Sequence, residues 1–313
     1  MSWYSIVETF IDIDYARWLI WLLTPIIITF LLPLTLLLFL YLSALFLHIY
    51  RHRYRLSTVK QAVERGDYWH GARQMLAIFW DAHGWIYHSY EVKGIQNIPD
   101  TGPALIVYYH GALPLDYYYL MAKCLLQKRR LIEAVGDKFL FSIPGWKLMM
   151  EVLHVFPGTI QTCTNVLKNG NLLSIAPGGV REAQFGDNSY KLIWGKRIGF
   201  AKVAIAAEAP IIPVFTVNIR ESFRSFPVGR RWLKKIYDRT RLPLVPIYGG
   251  FPVKMTTIIG KPIEYEPNRT PEELARLTAE SIEKMIKENQ RLPGSILMAI
   301  LDRFRFKRTQ LVK

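Results

Sequence analysis

Tyr108-Tyr109-His110-Gly111-Ala112-Leu113-Pro114-Leu115-Asp116 follows directly on the apolar run Ala104-Leu105-Ile106-Val107. Gly102-Pro103 precede the run and a Gly and a Pro follow it, the pattern of a short buried strand, so His110 falls at the strand's carboxyl end. Open α/β sheets keep their ligands at that end. Pro114 suits the first residue of a helix, because its missing N–H would be an orphan there anyway, and Asp116 then lies in the opening turn. A base and a carboxylate share one strand-to-helix bend. An Asp in a first turn also serves the helix dipole alone, and a His near a bend is commonly structural.

A second bend of the same kind lies downstream. The buried-strand run Leu172-Leu173-Ser174-Ile175-Ala176 leads straight into Pro177-Gly178-Gly179-Val180-Arg181-Glu182. Paired glycines let backbone approach a ligand closely, and Arg181 adds a planar cation. Tyr90 to Lys93, Leu131 to Val135, Pro210 to Phe215 and Val253 to Ile259 read as further strands. Helices are expected over 56–87, from the Pro114 bend to about Leu126, from Pro144-Gly145, over Thr164 to Lys168 and over Gly199 to Ala209. Another is expected over Pro271 to Gln290, opened by an N-cap Thr270 and first-turn glutamates. Strands alternating with helices predict an α/β fold with a mainly parallel central sheet flanked by helices. His154 to Thr159 reads as a turn-rich link. Arg220 to Arg241 is basic and aromatic, either a solvated helix face or a patch touching lipid headgroups.

The stretch from Trp18 to Tyr50 contains no Asp, Glu, Lys or Arg. A straight helix of that length would run roughly 50 Å against a hydrocarbon core of about 30 Å. Pro25 and Pro33 offer a break, so a membrane-embedded helical hairpin is expected over about 18–50, with a tilted, kinked single span as the alternative. Asp12 and Asp14 before the run, and its length, argue against a cleaved signal peptide. Arg51, Arg53 and Arg55 beyond the run place the rest of the chain in the cytosol by the positive-inside rule. The expected organisation is an anchor over 1–55, a catalytic domain over 56–291 and a basic amphipathic tail over 292–313.

Hydrophobic residues make up 51% of the 313 residues, and the net charge is +15. The basic residues are dispersed and show no nucleic-acid-binding motif, so an anionic membrane surface is the expected partner rather than nucleic acid. The two cysteines, Cys124 and Cys163, fit a reducing compartment. The seven histidines form no metal-ligand spacing, and no metal site is expected.

His110 with Asp116, then Ala176-Pro177-Gly178-Gly179-Val180-Arg181, then Pro210-Ile211-Ile212-Pro213 resemble, in order and spacing, the blocks of the glycerolipid acyltransferase (PlsC-like) superfamily. The Tyr109 to Ala112, Pro177 to Ala183 and Tyr248 to Val253 strings look most like its transmembrane protein 68 branch, similar to the diacylglycerol acyltransferases. The resemblance implies an endoplasmic-reticulum membrane enzyme that makes di- or triacylglycerol. Two departures stand out. His110 and Asp116 are separated by five residues instead of four, so the bend must bring them together. Gly178 replaces the superfamily's acidic residue, which argues against a phosphorylated acceptor.

Acyl transfer to an alcohol needs a base for the hydroxyl proton, a group that orients the base, and donors for the oxyanion. His110 and Asp116 are the expected catalytic pair, and Gly178, Gly179, Arg181 and Glu182 the expected substrate cradle. No Gly-x-Ser-x-Gly elbow is present, so direct attack by the bound alcohol is expected. The acyl donor, acyl-CoA or a phospholipid, is a substrate, and no further cofactor is expected. Lysophospholipid or glycerol-phosphate acylation, and a non-catalytic membrane lipid-binding protein, are the rival readings.

Overall fold

Tyr15–Arg53 form one continuous helix, α1, with Pro25 and Pro33 inside it. The computed structural model describes residues 15–53 and 69–304. Glu8, Asp12, Asp14, Arg55, the expected helix over 56–68 and the basic tail residues Arg305, Lys307 and Arg308 lie outside those residues.

The expected hairpin is thereby corrected to a single helix. Each proline removes one helical hydrogen bond, but no Gly, Asn or Asp lies between Trp18 and Tyr50 to build a reversal. A turn there would leave backbone polar groups unsatisfied among apolar side chains. The helix also satisfies its own hydroxyls on its backbone. Thr24, Thr29, Thr35 and Ser43 hydroxyls donate to the carbonyls of Ile20, Ile26, Leu32 and Phe39 at 2.6, 2.8, 2.6 and 2.9 Å. Leu19–Ile49 is long and apolar enough to cross a membrane.

A seven-stranded sheet organises the rest. Its strands are β1 (Glu91–Lys93), β2 (Ala104–Tyr108), β3 (Ile132–Gly136), β4 (Val155–Pro157), β5 (Leu172–Ile175), β6 (Ile211–Val217) and β9 (Thr256–Ile259), in the order β1-β9-β6-β2-β5-β3-β4. Every neighbouring pair is parallel except β6 with β9. Central β2 is a continuous apolar run because both its faces are covered, and Ala104 to Val107 are fully buried. The turn-rich link expected at 154–159 contains edge strand β4. Three residues are too few to carry a period, and Pro157 is tolerated at an edge. A separate antiparallel ribbon pairs β7 (Phe223–Ser225) with β8 (Ile247–Gly249).

The helices after α1 are α2 (His70–His88), α3 (Leu115–Lys128), α4 (Trp146–Val152), α5 (Ile160–Lys168), α6 (Gly179–Phe185) and α7 (Gly199–Ala206). They are followed by α8 (Ile219–Ser222), α9 (Arg230–Thr240), α10 (Pro271–Asn289) and α11 (Ile296–Leu301). Thr270 caps α10 by accepting from Glu273 N, with Pro271 in the first turn, as the sequence predicts. Pro114 is the residue before α3 rather than inside it, and Asp116 lies in the first turn.

One side of α1 packs along the domain. Phe30 lies 6.2 Å from both the Phe226 and Tyr248 rings, Phe39 5.4 Å from Phe79, and Tyr41 6.1 Å from Trp146. The C-terminal α11 also docks: Ala299 is fully buried and its carbonyl accepts from Lys254 N at 3.0 Å.

Candidate active site

Parallel pairing sets the two bends side by side. Val107 of β2 is in register with Ile175 of β5, so each chain leaves the sheet at the same edge. His110 comes three residues beyond one register partner and Gly178 three beyond the other. Sheet geometry alone thus brings the two sequence-predicted segments together, at the carboxyl ends where ligands bind.

A hydrogen bond then ties them. Glu182 is fully buried. Its Oε2 accepts from His110 N at 3.0 Å, and its Oε1 from Ile193 N at 2.9 Å. Burial pushes this carboxyl up, while the two N–H donors and the Arg220 cation hold it down. Gly178 makes room for the arrangement, since a Cβ there would overlap the Glu182 carboxyl group. The space an acidic residue's own side chain would need at 178 is filled by a carboxylate from one helical turn later.

Arg220 braces both bends from beneath. It is 1% exposed, and its Nη2 donates to His110 O at 3.0 Å and to Glu182 O, while its Nε donates to the Tyr109 hydroxyl. The guanidinium also lies over the Tyr109 ring, 5.2 Å from the centroid. Arg220 therefore does not belong to the exposed basic patch expected over Arg220 to Arg241, where Phe223 is buried as well. A run of basic neighbours concealed it in the sequence.

His110 is half-buried. Its Nδ1 lies 2.7 Å from Gly111 O. A carbonyl only accepts, so Nδ1 carries the hydrogen and Nε2 is left with a free lone pair. Burial lowers the imidazole pKa to about 4, against the opposing pull of the Gly111 carbonyl and with further depression by Arg220. The ring is neutral at pH 7 and able to take a proton.

Asp116 is not hydrogen-bonded to His110. It is 4% exposed, its Oδ1 has no partner, and it faces Thr216 in a water-sized cavity that Ser174 and Tyr108 also line. Burial raises it to about 7, opposed by a hydrogen bond from Thr216. The Thr216 hydroxyl is 2.8 Å from that of Thr257, to which Tyr90 donates at 2.7 Å. The Tyr108 ring, which Asp116 also influences, stacks near His110 at 6.2 Å.

A cavity of about 850 Å³ opens beside these groups. Its wall includes His110, Gly179 and Val180 from the bends, and Leu36 and Leu40 from α1. Gly178, Arg181 and Glu182 are not on that wall. Gly179, in the left-handed region at φ +48, donates its N–H to Ala176 O at 3.0 Å. The guanidinium at the glycine bend is Arg197, whose Nη1 donates to Pro177 O and Gly178 O at 3.0 and 2.8 Å. Lys138, Arg241 and Gln184 also line the cavity; sequence reading named Arg241 only as the end of the basic stretch and did not find the other three. Each comes from a loop or helix with no motif of its own. Among the described residues no His, Cys, Asp and Glu side chains cluster as metal ligands would.

Comparison with known proteins identifies the family. Residues 89–217 match the family model described as Acyltransferase. The human "DGAT1/2-independent enzyme synthesizing storage lipids" is 45% identical over 97% of this chain and 92% of its own length, and the mouse protein of that name is 46% identical over 97% and 90%. "Phytyl ester synthase 1, chloroplastic" of Arabidopsis thaliana is 26% identical over 54% of this chain and 26% of its own. The crystal structure of the 1-acyl-sn-glycerophosphate acyltransferase PlsC from Thermotoga maritima superposes with a TM-score of 0.51 at 18% identity. It covers 80% of this chain and 96% of that one, a likeness of fold. This chain is an acyltransferase, belonging to the acyltransferase family and, within it, to the group formed by the DGAT1/2-independent storage-lipid enzymes.

Proposed function

We propose that this chain is a membrane-anchored O-acyltransferase that moves a fatty acyl group onto the hydroxyl of a mono- or diacylglycerol, at the endoplasmic-reticulum membrane with the domain in the cytosol. The observation that carries the reading is a neutral imidazole with a free Nε2, tied to a glycine bend and facing a lipid-sized cavity. The names of the storage-lipid relatives support the substrate class.

In the proposed mechanism Nε2 of His110 takes the proton of the acceptor hydroxyl as its oxygen attacks the acyl carbonyl of an acyl-CoA or phospholipid. The tetrahedral oxyanion is held at the glycine bend. Gly179 N–H is already bonded to Ala176 and Gly178 is not on the cavity wall, which leaves the N–H of Val180. The intermediate collapses with cleavage of the donor's acyl bond, and the departing thiolate or lysolipid oxygen recovers the proton from the imidazolium. The Gly111 carbonyl orients the ring. Asp116 acts on it as a buried charge beyond Tyr108, and Glu182 and Arg220 position its loop.

The rival acceptor, a lysophospholipid or glycerol phosphate, draws support from Arg197, Lys138 and Arg241 on the cavity wall. Purified full-length protein in mixed micelles, given labelled acyl donors and a panel of mono- and diacylglycerols and lysophospholipids, tests the proposal. Labelled di- or triacylglycerol is the expected product. A phospholipid product would move the assignment to the rival, and no product with any pair would end the enzymatic reading of the site.

A further inference from the structure

Soluble helices bury one face and charge the other. Helix α2 does not. Its inner face buries Ala72, Leu76, Ala77 and Trp80, yet its outer face exposes Met75, Ile78, Phe79, Trp85 and Ile86, each at least 40% exposed. These positions follow the 3- and 4-residue spacing of one helical stripe. The two charged side chains of α2 are accounted for elsewhere: Arg73 is buried and donates to Val152 O at 3.0 Å, and Asp81 pairs with Lys123 at 2.6 Å.

The stripe continues at both ends. Phe79 meets Phe39 of α1 with ring centroids 5.4 Å apart, and α1 carries its own exposed row of Leu34, Leu38, Leu42 and Leu45. At the other end Arg303 donates to Ile86 O at 3.0 Å. That bond sets α11 and the turn after it alongside, with Leu297, Leu301 and Phe304 exposed. An uncharged band this extended exceeds the scattered apolar residues of ordinary surfaces and marks an interaction face.

We propose that the outer faces of α2 and α11 are a lipid-docking surface, by which the domain is sunk into the leaflet alongside α1 instead of hanging from it in water. The inference rests on the membrane reading of α1. The occupant is bilayer hydrocarbon, because the band is continuous with the exposed face of the membrane helix and carries no charge a protein partner could read. Arg303 lies at its margin, a residue type that reaches to the headgroup boundary. Leu36 and Leu40 on the cavity wall belong to the inner face of α1, so the cavity beside His110 then lies against a lipid-embedded helix.

The test is spin-label depth measurement on full-length protein in phosphatidylcholine/phosphatidylserine vesicles. Single-cysteine variants Ile78→Cys, Trp85→Cys and Leu297→Cys are compared with Leu22→Cys in the anchor and Glu280→Cys on exposed α10. The native Cys124 and Cys163 are buried and take up little label. The docking surface requires labels at 78, 85 and 297 to show an oxygen-over-nickel accessibility ratio severalfold above that at 280 and close to that at 22. Nickel accessibility at all three with position 22 still oxygen-selective would overturn the docking and leave the anchor standing. Nickel accessibility at 22 too would remove the membrane reading and the proposal together. Shielding of the three from both reagents would mean a protein covers the face, which also overturns it.

Discussion

Replacing Glu182 by Gln removes one acceptor and nothing of the shape. The carboxylate accepts from two buried backbone N–H groups, those of His110 and Ile193. A Gln amide has one oxygen, so one N–H keeps a partner and the other faces an NH2 group. Losing a hydrogen bond to a charged acceptor costs about 1.5–3 kcal/mol. Arg220 also loses the nearby negative charge of Glu182, whose pKa that guanidinium holds down, so the total is roughly 2–4 kcal/mol. For a domain of this size each kcal/mol lowers Tm by about 2–4 °C, giving a fall on the order of 5–15 °C. The freed bend carries His110, so kcat should drop about 10- to 100-fold with KM little changed. Initial rates in micelles and thermal melts of the same preparation measure both. The double variant with His110→Ala adds a sharper condition: once the imidazole is gone, Glu182→Gln should cost no further activity. Wild-type kcat and Tm in the single variant would refute the positioning role of Glu182.

Gly178→Ala tests the same contact from the other side. Its φ of −68° suits any residue, so only the collision with the Glu182 carboxyl group objects, and activity should fall as in Glu182→Gln while the fold persists by circular dichroism. Asp116→Asn should lower kcat by roughly 5- to 30-fold, the 1–2 kcal/mol that one buried charge near the site supplies at an effective dielectric of about 20, far less than loss of His110. Asp116, raised to about 7 from an ordinary value of 3.8, contributes stability that is complete below the ordinary value and lost as pH rises through 7. His110, lowered to about 4 from 6.5, has the opposite sign: its contribution is complete above 6.5 and lost as pH falls through 4. Urea melts between pH 4 and 8 should therefore show Asp116→Asn gaining stability on wild type as pH rises, and no such gain would contradict the buried, unpaired carboxyl.

The sequence made β2 and β5 legible because strands covered on both faces are unbroken apolar runs, and Gly and Pro punctuate their ends. The His110 and Gly178 bends follow from those strand ends, and their meeting follows from parallel pairing. What stayed hidden lacked a local signature. Arg220 opens a run of basic residues in the sequence, and only its contacts with Tyr109, His110 O and Glu182 O reveal it as buried. Arg197 reaches the cavity from an irregular loop. Glu182 read as part of a substrate cradle, whereas its carboxylate turns inward to hold backbone. The hairpin failed for a reason also present in the chain: proline weakens a helix, but a tight reversal needs residues such as Gly, Asn or Asp, and none lies between Trp18 and Tyr50.

The central claim is that His110 takes the proton. His110→Ala should retain the fold and cavity but lose about 10²- to 10⁴-fold in initial rate of labelled acyl transfer, with thermal unfolding near that of wild type. A folded His110→Ala protein that keeps most of its rate would contradict the account.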